Sequence, residues 1–321
     1  MTNRGFSTRV GVAIVLGIGL SWAGCQVNVP GPTGNNNAND NTSNPSTNQP
    51  NVEATVYEQL SLERVNRARL RPAQEAASNN IAIDEGVSGQ LNTTPKQAVA
   101  LNAILMSTAR AHSQDMLTRG YFEHNTPEGA TPFNRMTSAG YVYQNAGENL
   151  AWRGTTGTID VGNTVENEHV DLFVDSTVPG RGHRLIMLSN NFREVGIGII
   201  RGNFTQGGTH YDSVMQTQDY GRTQTNSTFV LGVVYSDANG NGRYDLNEGT
   251  ANSSVTLGTV TKLTNAGGGY GFEVLTPGAY TLRFAGNVTQ PLTIDAGDPN
   301  IKVDLVNNTT VVVNLGVGIL P

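Results

Sequence analysis

The stretch AHSQDMLTRGYFEHNTPEG, Ala111–Gly129, decides how this 321-residue chain is read. It closes the clearest helix of the sequence, predicted over Gln97–Arg119. There Leu101, Ile104, Leu105, Thr108, His112 and Met116 fall on one face at three- and four-residue spacing. Gly120 supplies the stop, because glycine adopts the left-handed conformation that ends helices. His112 shares the apolar face and reads as a core or supporting residue. His124 stands just past the helix, at the start of a loop.

Working outward, Val56, Leu60 and Val65 with charges between them predict a helix over Thr55–Leu70, and Pro72 opens a new segment, PAQEAAS. Glu194–Ile200 (EVGIGII) predicts a strand whose glycines let another element pack closely. All five histidines (His112, His124, His169, His183 and His210) precede residue 222. Glu148 lies in Gly147-Glu148-Asn149, and His183 in Gly180-Arg181-Gly182-His183-Arg184. Two imidazoles and a carboxylate can hold zinc or shuttle protons. Their spacing does not choose between these, and a single buried histidine is more often a hydrogen-bonded structural group. No HExxH, GxSxG, GxGxxG or P-loop pattern is present. His210 follows two glycines and reads as a loop residue, while Phe133 and Trp152 read as packing.

Ala111–Gly129, then Arg135, Gly140-Tyr141, Gly147–Ala151 (GENLA), Gly180–Leu188 (GRGHRLIML) and Phe192–Ile199 (FREVGIGI), occur in an order that resembles the bacterial CAP superfamily. That superfamily holds the cysteine-rich secretory, antigen 5 and pathogenesis-related proteins. The opening helix Tyr57–Ala77 resembles the start of the same domain, and the likeness covers about residues 53–222. The resemblance implies an α+β fold: an α-β-α sandwich around a cleft lined by two His and two Glu. Carried over, His124, Glu148 and His183 fill three of these positions. Glu166, Glu168 and His169 lie in the stretch where the fourth belongs. Members of the superfamily have been linked to lipid binding, divalent-metal binding, proteolysis and signalling, so the fold alone does not supply the function.

Composition narrows the rest. A single cysteine, Cys25, excludes internal disulfides and Cys-based metal sites. A net charge of −6 argues against nucleic acid as a partner. Arg4 and Arg9 followed by the apolar run Val10–Leu20 predict an export signal over residues 1–24, too short to span a bilayer. Cleavage after Ala23 is one reading. The other is a lipoprotein signal ending at Cys25, which would anchor the exported chain to a membrane, although Trp22 stands where such signals usually carry Leu. Residues 25–52, rich in Asn, Pro, Ser and Thr, predict a disordered tether. The sequence thus divides into 1–24 signal, 25–52 tether, 53–222 CAP-like domain and 223–321 second domain.

That second domain predicts an all-β sandwich. Strand-like runs recur at Phe229–Tyr235, Val255–Leu263, Tyr270–Val274, Tyr280–Phe284, Ile301–Val306 and Val311–Leu315, with Gly- and Asn-rich turns between them. Its first turn, Asp237–Glu248, fits the calcium-loop pattern D-x-[DN]-x-[DN]-G-x5-E. Asp237, Asn239, Asn241, Asp245 and Glu248 offer side-chain oxygens, Arg243 its carbonyl, and Gly242 the sharp turn. Together with Thr264–Phe284 the region resembles the B-type repeats of bacterial surface adhesins, where calcium rigidifies the module. Two functions follow. One is an exported surface protein whose cleft binds a small ligand, lipid, peptide or divalent metal such as zinc, beside a calcium-stabilised spacer. The other is a metal- or His/Glu-assisted hydrolase using the same cleft.

Overall fold

The structure, a computed structural model, describes residues 9–15, 53–225 and 227–315. Cys25 and the 25–52 segment lie outside the described residues. Of the 1–24 segment only β1 (Arg9–Val15) is described, as a strand.

α1 (Val56–Leu70) opens with a capping box: Thr55 Oγ1 accepts from the Glu58 amide at 3.2 Å, and Glu58 Oε2 accepts from the Thr55 amide at 2.8 Å. α2 (Pro72–Ser78) follows with proline at its first position. The helix predicted from Gln97 begins instead at Ala103. Ala100–Leu101 form a short strand, β2, and Asn102 then caps α3 (Ala103–Arg119), its Oδ1 taking the amides of Ile104 and Leu105 at 2.9 and 3.1 Å. Gly120 ends α3 at φ 70° as expected. Next come α4 (Pro132–Ser138), β3 (Tyr143–Thr155), α5 (Val161–Val174), α6 (Gly182–Met187), β4 (Glu194–Gln206) and β5 (Thr209–Thr223).

The strands form one sheet in the order β1-β3-β5-β4-β2, antiparallel except where β2 runs parallel to β4. α3 lies against β4 and β5, while α1 contacts β4, and α5 contacts β3 and β5. The expected α-β-α sandwich results. Glycine decides how close the layers come. A Cβ on Gly196 would stand 1.9 Å from the backbone carbon of Leu105, and one on Gly198 2.3 Å from the Arg110 nitrogen. His210, read as a loop residue, belongs to β5, because Gly207-Gly208 makes a tight β4–β5 hairpin and places His210 opposite Thr205.

The remaining chain forms two four-stranded sheets. β6 (Thr228–Tyr235), β7 (Ser254–Leu257), β8 (Val260–Leu263), β9 (Gly269–Val274), β10 (Gly278–Phe284), β11 (Thr289–Ile294), β12 (Ile301–Val306) and β13 (Thr310–Leu315) order as β11-β10-β7-β8 and β13-β12-β6-β9. Their inner faces share one apolar core around Val230, Leu282, Phe272 and Val303. The single strand predicted over Val255–Leu263 is a hairpin, since Gly258 takes φ 61° and turns the chain between β7 and β8.

α1 joins the two halves. Lys302 Nζ lies 2.9 Å from Glu63 Oε2 and 2.5 Å from Asp304 Oδ1, all three residues buried. Burial works against the ammonium, but the two carboxylates hold its pKa above the ordinary lysine range. Asn265 donates to Gln59 Oε1 at 3.0 Å. Arg64 donates to the Tyr244 carbonyl at 2.6 Å, to Asp245 Oδ1 at 2.7 Å and to Glu166. Val233, Tyr235 and Tyr244 complete the apolar cluster of the first half.

Candidate functional site

β3 carries the site. Glu148, wholly buried, points to the α3 side, where its Oε1 lies 2.7 Å from His124 Nδ1 and its other oxygen accepts from Arg135 of α4. Arg135 also donates to the His124 carbonyl at 2.7 Å, so one guanidinium holds both the loop and the acid. His112 Nε2 lies 3.0 Å from the Glu123 carbonyl. A carbonyl only accepts, so Nε2 bears the hydrogen. Burial first, and the Arg135 charge second, push the His112 pKa down to about 3, keeping it neutral. His112 therefore supports the loop that presents His124.

Asp219 of β5 is the direct cross-strand neighbour of Glu148. It is also fully buried, and Thr108 donates to its Oδ2 at 2.7 Å. Two adjacent buried carboxyls cannot both ionise cheaply. Burial raises Glu148 to about 7, with Arg135 and a hydrogen bond from Asp219 holding it down. Burial, then the Glu148 charge, raise Asp219 well above the usual range. Both carboxyls therefore lie in a setting that favours their protonated form. Nothing in the local sequence marks Asp219; only the β3–β5 register reveals it.

His183 enters from the other side of β3. Its Nδ1 lies 2.8 Å from Asp175 Oδ1, and its amide donates to Asp175 Oδ2 at 2.9 Å. Asp175 ends α5 at φ 53° and Arg181 precedes α6 at φ 45°, so the α5–α6 turn brings acid and base together. Asn149, next to Glu148 and facing the opposite way as alternation requires, donates to the His183 carbonyl at 3.2 Å. Glu148 and Asn149 thus tie two carboxylate-held imidazoles to successive positions of one strand.

Residues 62–220 match the cysteine-rich secretory protein family, CAP. This segment is a CAP domain. The uncharacterized protein YkwD of Bacillus subtilis (strain 168) is 30% identical over 138 residues, 43% of this chain and 48% of that protein. A crystal structure of an extracellular protein containing a SCP domain from Bacillus anthracis str. Ames is 18% identical with a TM-score of 0.30, covering 52% of this chain and 41% of that one. The chain thus spans less than half the length of either relative.

Each of the three candidates for a fourth cleft residue has a partner of its own. Glu166 pairs with Arg64, and His169 Nε2 lies 2.9 Å from Glu75 Oε1. Glu168 accepts from Gln216 at 3.2 Å, and burial raises its carboxyl well above the usual range. The carboxylate beside His183 is Asp175, reached only through the left-handed turn geometry. Trp152 packs edge-on to Phe204 and Tyr211, and Phe133 tilts against Tyr143.

Among the described residues no three His, Cys, Asp or Glu side chains converge as a metal-holding group. His124 and His183 each place Nδ1 against a carboxylate, which fixes the orientation of both rings. The Asp237–Glu248 loop is organised differently, as an oxygen-rich ring closed by its own hydrogen bonds. Asp237 accepts from the amides of Asn241 and Gly242 at 3.1 and 2.9 Å, and Glu248 from those of Ala238 and Asp245 at 3.0 and 2.8 Å. Asn239 and Asn241 donate to Asp245 Oδ2 at 2.8 and 2.6 Å. The donor chemistry, carboxylates and amide oxygens around a glycine turn, suits a hard cation. Among the described residues no helix is long and apolar enough to cross a membrane.

Proposed function

We propose that the chain is an exported, surface-held binding protein whose CAP cleft captures an extracellular ligand without transforming it. One observation carries the reading: His124 and His183 are each immobilised by a buried carboxylate, and Arg135 neutralises Glu148. A site whose charges are paired internally and whose rings are fixed is preorganised to present polar groups to a ligand at little ordering cost. The predicted export signal, Cys25 as a lipid-bearing residue, and the match to a secretory protein family support a place outside the cell. In this reading calcium, held by Asp237, Asn239, Asn241, the Arg243 carbonyl, Asp245 and Glu248, stiffens the turn that Arg64 fastens to α1.

A hydrolytic reading rests on a different observation. Glu148 titrates near neutrality beside an oriented imidazole, as a general base does. One experiment separates the two. The full chain is incubated with a mixed synthetic peptide library and followed by mass spectrometry. Intact peptides retained by wild type but not by His124→Ala support binding. Cleavage products that vanish in Glu148→Gln overturn it in favour of hydrolysis.

A further inference from the structure

The outer edge of β3 is taken by the chain's own residues Arg9–Val15. The pairing is antiparallel and continuous, from Arg9 opposite Gly154 to Ile14 opposite Asn149 and Val15 opposite Glu148. The same strand lies against α6, the helix of His183. An extended segment on this edge therefore runs beside α6, which carries His183, and ends at Glu148 and Asn149 of β3.

Sheet edges that avoid partners carry Lys, Pro or a bulge. The β3 edge has none of these over Ala146–Trp152 (AGENLAW), and the one register irregularity of the β3–β5 pairing lies at Tyr143–Asn145. Arg153, the half-buried charge that follows, is committed to Asp171 at 2.7 Å. The segment seated there, RVGVAIV, is Arg9 and the first half of the apolar run of the predicted export signal. Nothing in an export signal specifies a place in a folded domain; what the structure shows of this segment is an extended backbone in continuous antiparallel register.

We propose that the outer edge of β3 is a peptide-docking edge, which takes an extended apolar peptide as an added antiparallel strand alongside Glu148 and α6. Residues 9–15 stand in for that peptide here. The proposal rests on the binding reading of the cleft and names its ligand class. Affinity comes from main-chain hydrogen bonds, and selectivity from alternate side chains meeting the two sides of the cleft.

The test uses the full chain, produced without export so that residues 1–24 are retained, and the same chain carrying Val12→Pro and Ala13→Pro, one in each amide frame. Proline removes the amide hydrogens a ladder needs, which frees the edge and leaves residues 53–315 unaltered. The probe is a fluorescent peptide of the Arg9–Val15 sequence with flanking lysines, followed by anisotropy. The proline chain is expected to bind it at least tenfold more tightly than wild type. Probe peptides N-methylated at Val10, Val12 and Ile14, or at Gly11, Ala13 and Val15, should differ, one set losing binding and the other keeping it. Only alternate amides face the neighbouring strand. No saturable binding, equal effects of both methylation frames, or a proline chain that dimerises and ignores the peptide would each overturn strand docking. Frame-insensitive binding would leave the binding reading standing, whereas cleavage of the probe would fall on that reading instead.

Discussion

Asp219 stands directly opposite Glu148 across the β3–β5 ladder, both residues wholly buried. Because burial raises Glu148 from 4.5 to about 7, the folded chain holds a proton there that the unfolded chain releases. Stability from this group is complete below about pH 4.5 and is lost as pH rises through 7; Asp219 acts in the same sense. Denaturant unfolding should show wild type losing on the order of 3 kcal/mol between pH 4.5 and pH 8. Glu148→Gln should flatten much of that slope. Equal slopes in the two proteins would show that the Glu148 carboxyl is not raised by burial.

Gly196 faces the backbone of α3 at Leu105, a flexible side chain nowhere between them. Gly196→Ala should cost more than about 4 kcal/mol or prevent folding, because backbone must move to admit the methyl. Gly271→Ala meets nothing within 4 Å and should change stability by under about 1 kcal/mol. Thermal melts of both check the contrast.

Arg64 is buried and binds Glu166, Asp245 and the Tyr244 carbonyl together. Arg64→Met keeps the stem but leaves a buried carbonyl and two carboxylates without their cation. The expected loss is about 2–4 kcal/mol. If the melting temperature is unmoved, the guanidinium is not what fastens the Asp237–Glu248 turn to α1.

Calcium at a hundredfold excess over its dissociation constant should stabilise the full chain by about 2.7 kcal/mol. Calorimetry in calcium and in excess chelator should differ for wild type and coincide for Glu248→Gln. A chain that melts identically in both conditions holds no structural calcium.

Much of the fold is legible in the chain because the relevant signals are local. The face of α3, the stop at Gly120, the close-packing glycines of β4 and the turn-punctuated strands after residue 228 each follow from a short window. β3 and β5 are not legible this way. Both their faces are covered, so runs such as GENLAW and MQTQDY mix polar and apolar residues without period. For the same reason His124, Glu148 and His183 can be named from motifs, but their partners cannot. Asp219 depends on strand register, Asp175 on a left-handed turn, and Arg135 on the loop it bridges. α1 is the extreme case, buried around nearly its whole circumference, with Ser61, Asn66 and Arg69 bonding in different directions.

The Lys302–Glu63–Asp304 contact bears on ancestry as much as on stability. A β-module that travels between proteins as a bead must present a face that is content in water. Here that face holds a lysine whose counter-charge comes partly from a helix of the other half. Cut loose, the module would expose a matched socket with no plug. The two halves have therefore become mutually specific, and grafting this β-region onto another host would require importing Glu63, Gln59 and Arg64 with it.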